Sequence, residues 1–187
     1  MRYRNFDRRA INGSFLSGIL PNILPDDYII GENCFIRVHR GKSDLQKSIP
    51  KKMRAYAHYP YPVKVLIIHD QDSNDCVRLK AELMALCGIT TIPFMVRIAC
   101  RELENWYLGQ LTAIEKAYPE TKASSSINKK KYRNPDLLHG ADELNKMTRN
   151  FSKMQAAREI SRYIEIDNNT SSSFNHAIKA IRQLCEK

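Results

Sequence analysis

At 187 residues with a formal net charge of +10, the chain is long enough for one domain with its own core, and its charge favours a polyanionic partner, nucleic acid first. Its five cysteines (Cys34, Cys76, Cys87, Cys100, Cys185) show neither zinc spacing nor a disulfide framework, which argues against a stapled secreted scaffold and for reduced core thiols in a cytoplasmic protein. No apolar run approaches a membrane span, and MRYRNFDRRA lacks the hydrophobic stretch of a secretory signal.

In chain order, residues 1–11 are arginine-rich and offer little to bury. Ser14–Leu24 (SFLSGILPNIL) predicts a short amphipathic helix that Pro21 kinks or ends. Cys34–His39 (CFIRVH) alternates as a strand should, and Gly41 supplies the turn after it. Lys42–Ala57 places Leu45, Ile49 and Met53 at helical spacing with bases on the remaining faces; Pro50 predicts that this helix restarts there.

Val63–Asp75 (VKVLIIHDQDSND) dominates the pattern. Val63, Val65, Leu66, Ile67 and Ile68 form a short, mostly β-branched run, the signature of a strand buried on both faces. It discharges into His69, Asp70, Gln71 and Asp72, and Cys76–Cys87 follows with Val77, Leu79, Leu83 and Leu86 at helical spacing. A strand-to-helix turn in an open α/β sheet lies at the carboxyl edge, where such sheets bind ligands. Asp70 and Asp72, two residues apart, present hard oxygen ligands suited to Mg²⁺ or Mn²⁺. The plainer alternative is that DQDSND is a turn and helix entry, since Asp, Ser and Asn favour both. A calcium-loop reading fails, because Asp75 and Ala81 stand where glycine and a bidentate glutamate are needed.

Pro93–Cys100 (PFMVRIAC) predicts another strand, running into Arg101, Glu102, Leu103 and Glu104 and then Trp106 and Tyr107. The glutamates suit a first helical turn, but they also deliver carboxylates to the edge that Asp70 and Asp72 occupy. Trp106 and Tyr107 read as core. A helix over Leu111–Tyr118 precedes a polar, basic loop, Ser124–Arg133. There Lys129, Lys130, Lys131 and Arg133 around Tyr132 form either a contact for a phosphate backbone with one stacking ring, or a solvated charge run. Helices are predicted from Asn134–Pro135 to about Met147, over Ser152–Ile164 with Lys153, and over Phe174–Leu184.

Together HRGKSDLQKSIPKKMRAY, VLIIHDQDSNDC, VRIACRELENWYLGQL, KYRNPD and DNNTSSSF resemble domain-of-unknown-function family 4276, over roughly residues 12–185. The resemblance implies a Toprim-like fold, a mostly parallel sheet flanked by helices with a helical part over residues 119–187, often encoded beside ATPases in defence loci. It also implies a metal site in which Asp70 and Asp72 match the Asp-X-Asp of that fold, and Glu102 and Glu104 match the family's own acidic strand end. Where the family would show an apolar first strand and an acidic turn, this chain reads MRYRNFDRRAING. Arg8 and Arg9 lie near the expected acid and Asp7 is the only nearby carboxylate, which predicts a missing first strand and weak catalysis.

The expected function is therefore phosphodiester cleavage of nucleic acid with Mg²⁺ or Mn²⁺. Asp70, Asp72 and Glu102 would hold metal, Glu104 would complete the site, and Lys153 or the 129–133 cluster would steady phosphate charge. Two rivals remain at this level. One is a non-catalytic interaction subunit of a partner ATPase with a degenerate site; the other is a haloacid-dehalogenase-type phosphotransferase, disfavoured by Asn74 two places after Asp72.

Overall fold

The computed structural model describes residues 11–149 and 151–186. The β-branched run forms strand β1, Val65–Asp70, which pairs in parallel with β2, Phe94–Ala99, in a register from Val65↔Phe94 to Asp70↔Ala99. Helix α3, Cys76–Cys87, makes the crossover. Asp75 caps it by accepting the Arg78 N–H at 2.8 Å, so part of the polar turn does serve as helix entry. Among the described residues these two strands are the whole sheet.

Period-two alternation separates two cores across the sheet. On one face Ile67, Val96 and Ile98 meet Ile49 and Met53 of α2 (Lys42–Tyr56) and Leu79, Leu83 and Cys87 of α3. On the other, Leu66, Ile68 and Ala99 join a larger cluster. Its helices are α1 (Ile11–Ile19), α4 (Glu104–Leu108), α5 (Leu111–Ala117), α6 (Gly140–Met147), α7 (Lys153–Ser161) and α8 (Ser172–Cys185). Trp106 and Tyr107 are fully buried at its centre. The Phe15 ring lies 4.8 Å from that of Tyr107, and Phe174 packs edge-on against Trp106.

Several expectations are corrected. Cys34–His39 forms no strand, and among the described residues its pairing is limited to an isolated bridge between Ile30 and Cys34. Its alternation reflects a half-buried Ile36 between exposed Phe35 and Arg37, which a lone extended segment lying on the surface satisfies as well as a strand does. Helix α2 runs through Pro50 without restarting; the burial of Ile49 and Met53 on either side offsets the hydrogen bond lost with the missing N–H. The helix expected from Asn134 to Met147 is broken: a 3₁₀ turn at Pro135–Leu137 precedes α6. The buried Asn105 amide donates to the carbonyls of Pro135 at 2.6 Å and Leu138 at 2.7 Å, taking acceptors that a continuous helix would use. Residues 124–133 form two 3₁₀ turns rather than an open loop. Of the five free thiols only Cys87 is fully buried. Asp7, Arg8 and Arg9 lie outside the described residues. No described helix is long and apolar enough to cross a membrane.

Candidate active site

The parallel register brings both acidic strand ends to one edge, and the backbone laces them together beyond the last ladder pair. Gln71 N–H donates to Ala99 O at 2.9 Å, and Asp72 N–H to Arg101 O at 2.7 Å. Gln71 Oε1 in turn accepts the Arg101 N–H at 3.0 Å. Asp72 (φ 52°) and Arg101 (φ 58°) both sit in the left-handed region, which costs a residue with a Cβ roughly 1–2 kcal/mol. The cross-links between the two turns hold that strain.

Asp70 ends β1 on the face of the larger core. Its Oδ1 is buried and has no hydrogen-bond partner. Asp72 is half exposed and receives Lys42 Nζ from the first turn of α2 at 3.2 Å. From the other strand, Glu102 Oε1 accepts the Ala141 N–H at 2.8 Å and Oε2 accepts Lys153 Nζ at 2.8 Å. The same ammonium lies 2.9 Å from Glu104 Oε1, whose side chain is only 3 % exposed. Gly140 makes the Ala141 contact possible: a Cβ there would stand 2.6 Å from Asn105 N and 2.7 Å from Glu104 C, so any side chain would push the start of α6 off the site.

Burial first, and then the charges of Glu104 and Asp72, push the Asp70 carboxyl up to about 7 against the opposing pull of Lys153. Burial also raises Glu104, which Lys153 offsets only in part. Burial would raise Glu102 too, but the Lys153 ammonium and the Ala141 N–H hold it below its ordinary range. For Lys153, desolvation pulls its pKa down while the two glutamates pull harder the other way, so the ammonium stays charged. Around one lysine, the two glutamates are thus shifted in opposite directions, Glu102 down and Glu104 up, a pattern frequent at functional sites.

Asp70, Asp72, Glu104 and Lys153 line a groove of about 1970 Å³, together with Lys42. Glu102 braces the lysine beside it. The structure therefore gathers all five predicted site residues. Among the described residues, however, no group of three or more His, Cys, Asp or Glu side chains is arranged to hold a metal ion. The donor chemistry nevertheless fits a hard divalent cation: the ligating atoms are all carboxylate oxygens, and Asp70 Oδ1 is a buried acceptor with nothing to accept from.

Lys129, Lys130, Lys131 and Arg133 do not line this groove. Lys131 pairs with the buried Glu143, and Tyr132 Oη donates to the same carboxylate at 3.3 Å. This part of the basic run anchors a turn onto α6. Lys129, Lys130 and Arg133 stay exposed.

Sequence reasoning missed three contributors. Lys42 reads as one more base on a solvated helix face, and nothing local marks it. The Ala141 N–H becomes a donor only because α6 starts there. Tyr107 reads correctly as core, yet its buried hydroxyl has no partner and its ionisation is suppressed by burial and by the charges of Glu104 and Asp70.

A family model described as "Domain of unknown function (DUF4276)" matches residues 14–182. No curated protein and no solved structure matches the chain.

Proposed function

We propose that this chain, which belongs to the DUF4276 family, is a divalent-metal-dependent phosphodiesterase acting on nucleic acid, with its two described strands belonging to a Toprim-like sheet. The observation that carries this reading is Asp70 Oδ1: a buried, unpartnered carboxylate oxygen at a parallel strand end, with Asp72, Glu102 and Glu104 around it. Four carboxylates against Lys42 and Lys153 leave an anionic site that a divalent cation would neutralise. Asp70 and Asp72 would hold Mg²⁺ or Mn²⁺; Glu102, whose two oxygens accept from the Ala141 N–H and the Lys153 ammonium, would join as third ligand only by releasing one of them. Such an ion, when bound, polarises a phosphoryl oxygen and lowers the pKa of water. Lys153, clamped by two glutamates, presents a fixed positive charge to phosphate, and Lys42 does the same from the groove's other side.

One observation favours the rival reading, a non-catalytic interaction subunit. The Lys153 ammonium already balances Glu102 and Glu104, as a cation would. Calorimetric titration of Mn²⁺ into the wild type and Asp72→Asn separates the two. We expect binding to the wild type, weakened about tenfold (roughly 1.4 kcal/mol) by the substitution, and metal-dependent nicking of plasmid that Asp70→Ala abolishes. Equal affinities would place any bound metal elsewhere, and nicking that survives Asp70→Ala would remove this site from the chemistry.

A further inference from the structure

The groove that reaches Asp70 and Asp72 continues away from them along α2 and the extended segment 35–39, and its lining changes character. At the end of α2, Tyr56, Tyr59 and Tyr61 form a ladder, with ring centroids 5.4 Å and 5.2 Å apart and planes inclined by 66° and 59°. Tyr59 is 44 % exposed and Tyr61 59 %. Phe35, also on the groove, is 53 % exposed, and the Arg37 guanidinium sits 4.9 Å from its ring centroid. Core packing explains none of these three rings.

The charge around them is one-sided. Away from the carboxylate site and Asp142 beside it, Arg37, Arg40, Lys52 and Lys64 line the groove, opposed only by Glu32 among the lining carboxylates. Lys64 Nζ is anchored on the Glu186 carbonyl at 2.8 Å. Flat rings spaced along a channel with cations between them form the pattern that holds unpaired bases by stacking and the backbone by charge. Duplex bases, already stacked on one another, cannot use such rings.

We infer that this groove binds a single-stranded stretch of nucleic acid, with Tyr59, Tyr61 and Phe35 stacking bases and Arg37, Arg40 and Lys52 contacting phosphates, and leads the strand toward Asp70 and Asp72. The inference rests on the proposed function for its direction, since it supplies that site with a single-stranded substrate. It also places nucleic-acid recognition in the aromatic-lined groove beside α2 rather than at the 129–133 turn, which does not line it.

The test is fluorescence anisotropy in EDTA, so that metal plays no part, using labelled twenty-nucleotide single-stranded DNA, its RNA counterpart and the matching duplex. We expect the single strands to bind at least tenfold tighter than the duplex. Tyr59→Ala/Tyr61→Ala should weaken single-strand binding tenfold or more and leave duplex binding unchanged, whereas Tyr59→Phe/Tyr61→Phe should retain it. Circular dichroism confirms that each variant folds. Arg37→Ala/Lys52→Ala should flatten the dependence of affinity on salt. The DNA and RNA arms report which backbone the groove prefers, and tight binding of either supports the inference. Duplex binding equal to or tighter than single-strand binding, or a Tyr→Ala pair that changes nothing, overturns it. The outcome is separable from that of the metal site: loss of nicking in Asp70→Ala with intact single-strand binding concerns catalysis alone, and manganese-dependent cutting by a Tyr→Ala pair that binds normally refutes the groove alone.

Discussion

Asp70→Asn is expected to make the metal-free protein more stable at pH 8 while removing its response to Mn²⁺. In the native state the Asp70 carboxyl is raised from 3.8 to about 7, so between those values the folded chain holds a proton that the unfolded chain releases. Stability therefore falls as pH rises through that window, and the whole penalty is present above pH 7. Each pKa unit corresponds to about 1.4 kcal/mol, so the full shift sets an upper bound of about 4 kcal/mol; with relaxation around the site, a gain of about 2 kcal/mol is a reasonable target. An asparagine keeps the shape and never charges. Its advantage should be largest at pH 8, about 5 °C in Tm, and should vanish below about pH 3, where the wild-type carboxyl is protonated in both states. Thermal melts of both proteins in EDTA at several pH values measure this directly. A variant less stable than the wild type at pH 8 would mean that Asp70 is already satisfied in its charged form. A gain in stability on removing a functional acid is the usual signature of a group held in place for chemistry.

The opposite result is expected for Lys153→Met. That ammonium is the shared counter-charge of Glu102 and Glu104, at 2.8 Å and 2.9 Å, and Glu104 has almost no access to water. Removing one partner of a buried ion pair strands the other, at a cost of about 3 kcal/mol. The loss should be full at pH 8 and shrink toward pH 5, because the stranded glutamates can protonate instead. Adding Glu104→Gln should recover much of it, which a simple packing defect at residue 153 would not allow. Denaturant melts of the single and double variants at both pH values form the cycle. Mn²⁺ should also raise the Tm of Lys153→Met more than that of the wild type, since a cation then replaces the missing ammonium. A destabilisation below about 1 kcal/mol at pH 8 would show that the lysine is a surface ornament.

How much of this was legible before the coordinates depends on sequence distance. Val65–Asp70 and Phe94–Ala99 declare themselves because short apolar runs bounded by polar turn residues suit strands packed between layers, and parallel strands carry their trailing acids to one edge by geometry alone. Asp70, Asp72, Glu102 and Glu104 could thus be placed together from local pattern. Their electrostatics could not, because Lys153 lies fifty-one positions from Glu102 and no periodicity links them. Cys34–His39 misled because alternation reports which side chains face inward and says nothing of a neighbouring strand. The break before α6 was hidden for the same reason as Lys153: the Asn105 amide that takes the Pro135 and Leu138 carbonyls comes from another element. The basic turn at 129–133 looked like a polyanion contact because Glu143, which holds Lys131 and Tyr132, is ten residues or more away.

The division of the interior by the sheet has a consequence for motion. The α2–α3 side buries nine residues around Ile67 and Val96, while the opposite side gathers α1 and α4–α8 around Trp106. Elements resting on fewer apolar contacts open at lower free energy than the molecule as a whole. Helix α2 should therefore be the first to exchange its amide hydrogens with solvent, and α4 and α8 the last, exchanging only through global unfolding. Because α2 carries Lys42 and Lys52 and leads directly into the tyrosine ladder, the wall of the groove that must yield to an entering strand is the inexpensive one to move, while Glu104 and Lys153 stay fixed on the slow-exchanging side.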